Sequence, residues 1–168
     1  MGVVVLAVIG LLIWNGAQAA VGEEVAVLSA SHVEEGTDPG PYNSDPPTSG
    51  QHYPSEFEAG FFDDADLAIL PAYPEGYLVH NLEHGYVVFW YNCAVLDKAG
   101  CEQLKSGIRN VIEEFDGVKL IAFPRASLQV PLAMTSWGRL QEFETFDAGQ
   151  ARHFVRANRY RAPEPDAP

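Results

Sequence analysis

Ten of the positions between residues 34 and 72 are glycine or proline, and this stretch limits the fold more than any other part of the chain. Proline fixes φ and removes a main-chain donor, while glycine weakens any regular element it interrupts, so neither a long helix nor a central strand can run through it. Nearly 40 residues without regular structure are uncommon inside a compact domain unless they are functional or disordered. Tyr42, His52, Tyr53, Phe57, Phe61 and Phe62 make the segment too aromatic for a linker. We therefore expect a long ordered Pro/Gly-rich loop packed across the domain.

Regular structure is expected on either side of that loop. Val21, Val25, Val27 and Leu28 suggest a short strand or an ordered lead into the domain. Residues 85–91 read Gly-Tyr-Val-Val-Phe-Trp-Tyr, an unbroken β-branched and aromatic run of the kind buried on both faces of a sheet. Leu104, Ile108, Val111 and Ile112 then recur at helical spacing over 101–115, with Asp97 near the start and Asp116-Gly117 as the stop. Two further strands are expected at 119–124 and 132–137, and a closing helix at 147–159 with Asp147 as its N-cap. The fold class this implies is α+β, a small β-sheet with packed helices. The domain is expected over residues 23–162, with 163–168 a flexible tail.

Residues 1–22 are the exception to this globular pattern. Val3 to Trp14 is an apolar run, followed by an Ala-x-Ala phrase at 17–19. The run suits either a cleaved secretory signal or an N-terminal hydrophobic helix that anchors the chain in a membrane. It lacks the basic residues that normally precede such a segment, which favours an anchor whose cytoplasmic end is missing. Both readings export the domain to the extracytoplasmic side. Cys93 and Cys101 are the only cysteines, and in an exported chain such a pair is most simply a disulfide. Their spacing does not fit a Cys-x-x-Cys motif.

Charge is distributed unevenly. All 10 basic residues follow position 97, while 14 of the 23 acidic residues lie at or before it, so the first 97 residues carry a formal −14. Such a surface repels nucleic-acid phosphates and anionic lipids and attracts metal cations or a basic protein partner. It also serves as a solvated, solubilising face.

Four of the five histidines, His32, His52, His80 and His84, fall in the part of the chain that has no lysine or arginine. Imidazole is the commonest ligand for zinc and copper, and a cation site needs surroundings that do not repel it. His80 and His84 also permit a geometric test. Along a strand their Cα atoms would lie ~13 Å apart, too far for ligand bonds of about 2 Å, whereas one helical turn brings them to ~6 Å. A shared ion therefore requires a helical or tight turn over 80–84, which Gly85 would end. The same five residues also spell His-x-x-Glu-His, a phrase in which Glu83 would act as general base on zinc-bound water. That reading needs a long helix, and a buried strand begins almost at once. His153 is expected to be exposed on the last helix, Ser49 to belong to a turn, and Met134 to lie in the core. A thioether near the imidazoles would favour copper.

Taken together, His32, Tyr42-Asn43, Pro46-Pro47-Thr48-Ser49-Gly50-Gln51-His52, Val79-His80-Asn81-Leu82-Glu83-His84-Gly85, Tyr91-Asn92-Cys93 and Thr135-Ser136-Trp137-Gly138 resemble the uncharacterised domain family DUF3105. The resemblance covers roughly residues 25 to 162 and implies an exported or membrane-anchored bacterial domain whose four histidines belong to one motif set. It implies no reaction. The function expected is an extracytoplasmic, membrane-anchored domain that binds a transition metal ion, copper or zinc, through His32, His52, His80 and His84, with a binding role favoured over catalysis. The competing expectations are an accessory subunit that docks a partner in a larger membrane complex through its acidic face, and a zinc hydrolase.

Overall fold

A computed structural model describes residues 19–167. Most of the expected N-terminal hydrophobic helix lies outside the described residues. Among the described residues no helix is long and apolar enough to cross a membrane.

The protein is a mixed α+β domain built on one six-stranded sheet. In chain order the strands are β1 (Glu23–Glu24), β2 (Gly60–Phe61), β3 (Val87–Tyr91), β4 (Leu120–Pro124), β5 (Leu132–Ser136) and β6 (Arg139–Phe143), and the helices are α1 (Glu75–Glu83), α2 (Lys98–Glu114) and α3 (Ala148–Asn158). Across the sheet the order is β1-β6-β5-β3-β4-β2. β3 and β4 pair in parallel, as strands joined by a crossover helix must, and α2 supplies that crossover. β5 pairs antiparallel with β3 on one side and with β6 on the other.

β3 is the centre of the fold, and all five of its residues are buried. Its alternation divides the core in two. Val87, Phe89 and Tyr91 join Ile108 of α2 and Phe154 of α3 in one apolar cluster. Val88 and Trp90 face the other way, into a cluster with Leu78 and Leu82 of α1.

Local signals set the two long helices. The Asp97 carboxylate accepts from the Gly100 amide at 2.7 Å, so α2 begins at Lys98, three residues before the apolar pattern suggests. Asp147 caps α3 in the same way through the Gln150 amide at 2.9 Å. The disulfide between Cys93 and Cys101 ties the first turn of α2 to the end of β3, with the Cα atoms 5.1 Å apart.

β2 is a two-residue strand within the stretch expected to be a loop, paired in parallel with β4, and two longer elements also exceed the sequence expectation. Where only a turn over 80–84 is required, α1 is a nine-residue helix that opens after Pro74, whose restricted φ suits a helix start. Its pattern is masked because nearly every residue is buried, polar ones included. β6 is the other. Its sequence Arg-Leu-Gln-Glu-Phe is largely polar and half-buried, and it becomes a strand by pairing with β5 across the tight turn at Trp137-Gly138. Gly138 takes a positive φ of 67° there.

Candidate metal centre

The site lies where α1 ends against the segment that contains His52. A single parallel bridge pairs His32 with His52, with the Val33 amide donating to the His52 carbonyl at 2.8 Å. This brings two loop histidines side by side, their ring centroids 4.8 Å apart. The next residue, Tyr53, locks that pair onto α1. Its amide donates to the Gly76 carbonyl at 3.1 Å, and its own carbonyl accepts from Nδ1 of His80 at 2.5 Å. Gly76 is required for this approach, because a Cβ there would sit 2.4 Å from the Tyr53 ring.

A second anchor brings in a residue that the sequence pattern does not mark. The Asn81 side chain donates to the Phe57 carbonyl at 2.8 Å and accepts from the Phe57 amide at 3.1 Å, copying a strand partner. Glu56 is thereby presented to α1, its carboxylate 2.6 Å from Nδ1 of His84. Only the phrase His52-Tyr53-Pro54-Ser55-Glu56 hints at it, and an acidic residue four positions from a histidine in a loop is too common to be a signal.

The loop behind the histidines is fastened by side chains. The Asn43 amide nitrogen donates to the hydroxyls of Thr48 at 2.6 Å and Ser49 at 2.9 Å, and the Asn43 carbonyl oxygen accepts from both of their main-chain amides. The Ser49 hydroxyl also accepts from the Leu28 amide. Ser49 is therefore a fully buried structural hub.

Among the described residues, ligand atoms of His32, His52 and His80 lie within 4.8 Å of one another, and so do those of Glu56, His80 and His84. His80 belongs to both groups. Thus three of the four anticipated histidines converge, while His84 belongs to a second group that includes Glu56. His32 is exposed, whereas His52, His80 and His84 are buried. Tetrahedral zinc ligands stand roughly 3.4 Å apart, so either group would close on an ion by side-chain movements on the order of 1 Å.

Proton accounting gives the site its character. Nδ1 of His52 lies 2.9 Å from the Gly50 carbonyl, and Nδ1 of His80 lies against the Tyr53 carbonyl; a carbonyl only accepts, so both Nδ1 atoms carry hydrogen. In a neutral ring Nε2 is then a lone pair. Burial pushes the His52 pKa below its ordinary value, a shift that Gly50 and the Glu83 carboxylate only partly oppose and that His80 and His32 reinforce. Its Nε2 nevertheless faces the Glu83 carboxylate at 2.9 Å, two acceptors in contact. Nε2 of His80 meets Nε2 of His84 at 2.9 Å, so the proton between them belongs to His84. Nδ1 of a neutral His84 is then a second lone pair turned towards a carboxylate, that of Glu56. Nε2 of His52, Nδ1 of His84 and an oxygen of Glu56 are all buried without an aligned hydrogen bond. The cluster has lone pairs without hydrogens to meet them, a deficit that a metal cation would fill.

The remaining surroundings close the site from behind. Lys119 donates to the His84 carbonyl at 2.7 Å and to the carbonyls of Pro165 and Ala167. Burial pushes the pKa of its ammonium down. Residues 163–167, read from composition as a flexible tail, lie against the end of α1, where the Glu164 amide donates to the Glu83 carbonyl at 3.0 Å. The Glu164 carboxylate stands 3.6 Å from Nε2 of His84. Met134 faces away, on the side of the sheet covered by α2 and α3, and offers the histidines no thioether. His153 is exposed on α3.

An α+β domain with a buried histidine and carboxylate cluster at the end of a short helix is the class defined by this fold and site. The family model described as "Protein of unknown function (DUF3105)" matches residues 32–168, and the chain belongs to that family. No curated protein and no solved structure matches it.

Proposed function

We propose that this protein is an extracytoplasmic, membrane-anchored domain that binds one transition metal ion, zinc or copper, through the histidine cluster centred on His80. The observation that carries the reading is the set of facing acceptors: Nε2 of His52 against Glu83, and Nδ1 of His84 against Glu56. Carbonyl partners on the Nδ1 atoms of His52 and His80 support it, because they orient Nε2 outward as they do behind zinc-bound imidazoles. Export is supported by the disulfide, which persists in oxidising compartments. In this reading the N-terminal apolar run tethers the domain, and the 34–72 loop is the ordered arm that delivers His52 and Glu56. Glu83 lies beside His52 and acts as an outer partner of that ring, which favours binding over a hydrolytic role.

The test is metal content. Purified full-length protein, dialysed against metal-free buffer, is expected to retain one zinc or copper ion per chain by mass spectrometry, and His80→Ala is expected to lose it. Parent protein that retains neither ion and takes up neither on titration overturns the reading.

A further inference from the structure

His80 is shared by the two ligand groups, yet only one of its nitrogens is available to either. Its Nδ1 is committed to the Tyr53 carbonyl, so Nε2 alone is left for an ion. One lone pair makes one metal bond, and an ion bound with His32 and His52 leaves His80 unable to serve a second ion beside His84 and Glu56. We infer that the cluster offers a single divalent ion two alternative seats that share His80, one with His32 and His52 and one with His84 and Glu56, and that the ion passes between them by exchanging the other ligands. This inference rests on the metal-binding reading above.

Charge and access both fit such an exchange. An ion in the first seat has the Glu83 carboxylate beside His52, and an ion in the second has Glu56 itself with Glu164 near His84, so neither position isolates a positive charge in the interior. The seats also open differently. His32 is an exposed ligand at one end, while the second seat is reached past the half-buried Glu56 and the exposed Glu164. His80 lies between them, only 6% exposed, and holds the ion while its neighbours change. The result is a pass-through site, suited to accepting an ion on one side and giving it up on the other.

The donors narrow the cargo to a divalent ion of the zinc or copper(II) class. All are imidazole or carboxylate groups, both cysteines are consumed by the disulfide, and Met134 lies across the sheet, so the soft sulfur ligands that select copper(I) are missing from this set.

Cobalt(II) titrated into the metal-free full-length protein tests this, with affinity read by chelator competition and ligand identity by visible absorption. The parent is expected to bind one ion per chain. His32→Ala is expected to bind one ion with an affinity within roughly tenfold of the parent but with a shifted spectrum, because the second seat remains. Glu56→Gln alone is expected to change affinity by less than about threefold, while His32→Ala/Glu56→Gln falls by about a hundredfold or more, far beyond the product of the single effects. His84→Gln in the His32→Ala background replaces Glu56→Gln if that variant does not fold. A double variant no weaker than His32→Ala alone, or two ions bound per parent chain, overturns the shared-seat inference while the metal reading stands. A parent that binds neither cobalt(II) nor zinc overturns both.

Discussion

On one face of the sheet, α2 and α3 bury Ile108, Phe154 and Val155 in a continuous apolar cluster, with each helix started by an aspartate cap. On the other, α1 shares its face with the segment that carries His52 and Phe57, and His52, His80, Asn81 and Glu83 are buried beside Leu78 and Leu82. The helices of the first face follow short-range rules, helical periodicity, capping and a disulfide across a sequence separation of 8, with the Asn158 side chain also bonding the distant Val21 main chain. The second depends on side chains bonding to distant main chain, Asn81 to residue 57 and His80 to residue 53. Stability can therefore be concentrated on one side while the other holds polar groups that cost free energy to bury.

The comparison breaks most visibly at Phe154. Phe154→Ala is expected to cost about 3–5 kcal/mol in urea unfolding, because a fully buried ring is lost from the α2/α3 side, while metal content per folded chain stays unchanged. A parallel loss of metal from the folded fraction would show that the two faces are not independent.

Reduction of the Cys93–Cys101 bridge comes next. Its short loop is expected to contribute about 2–3 kcal/mol, seen as a lowered unfolding midpoint after reduction and alkylation, again with the ligands unaffected.

Gly76→Ala sharpens the contrast from the polar side. The added Cβ drives into the Tyr53 ring and shifts the carbonyl that orients His80. We expect about 1–3 kcal/mol of lost stability together with weakened metal binding, whereas the Phe154 variant should show only the first. Calorimetry of unfolding and of zinc binding on both variants separates the two patterns.

The smallest expected effect is that of pH on the metal-free protein. Burial lowers the His52 pKa below its ordinary 6.5, so the unfolded chain takes up a proton that the folded chain resists. The contribution is complete above about pH 6.5 and is lost as pH falls through the lower folded value. Asp63, on the Lys105 hydrogen bond, has its pKa lowered from 3.8, so its contribution is present above about pH 3.8 and lost only in more acidic solution. Denaturation at pH 7.5 and 5.5 should therefore register the histidine side alone, and equal stabilities at the two values would contradict the assignment of His52 as neutral.

Much of the first face was legible before folding was considered. The β3 run is buried on both sides as a continuous apolar strand should be, and the α2 and α3 patterns differ from the observed helices only at their ends. β6 was illegible because its pattern is polar, and its strand character comes from pairing with β5. The four histidines stood out by residue type and by the surrounding absence of basic residues. Their division into two groups through His80, and the presence of Glu56, were not visible at all. Glu56 reaches the site because Asn81 holds its neighbour, and no periodicity encodes a contact across 24 positions.

By itself the sequence determined the mixed α+β class, the pairing of two cysteines and the set of imidazoles available, because periodicity, capping and residue chemistry act over a few positions. Tertiary structure alone decided which lone pairs face which carboxylates, that Met134 lies across the sheet from the histidines, and that Glu56 joins them. The contacts with the carboxylates depend on where residues 52–57 come to rest, and their path is set by hydrogen bonds between their main chain and the His80 and Asn81 side chains, which only the assembled helix can offer, while strand alternation in the assembled sheet sets the side on which Met134 lies.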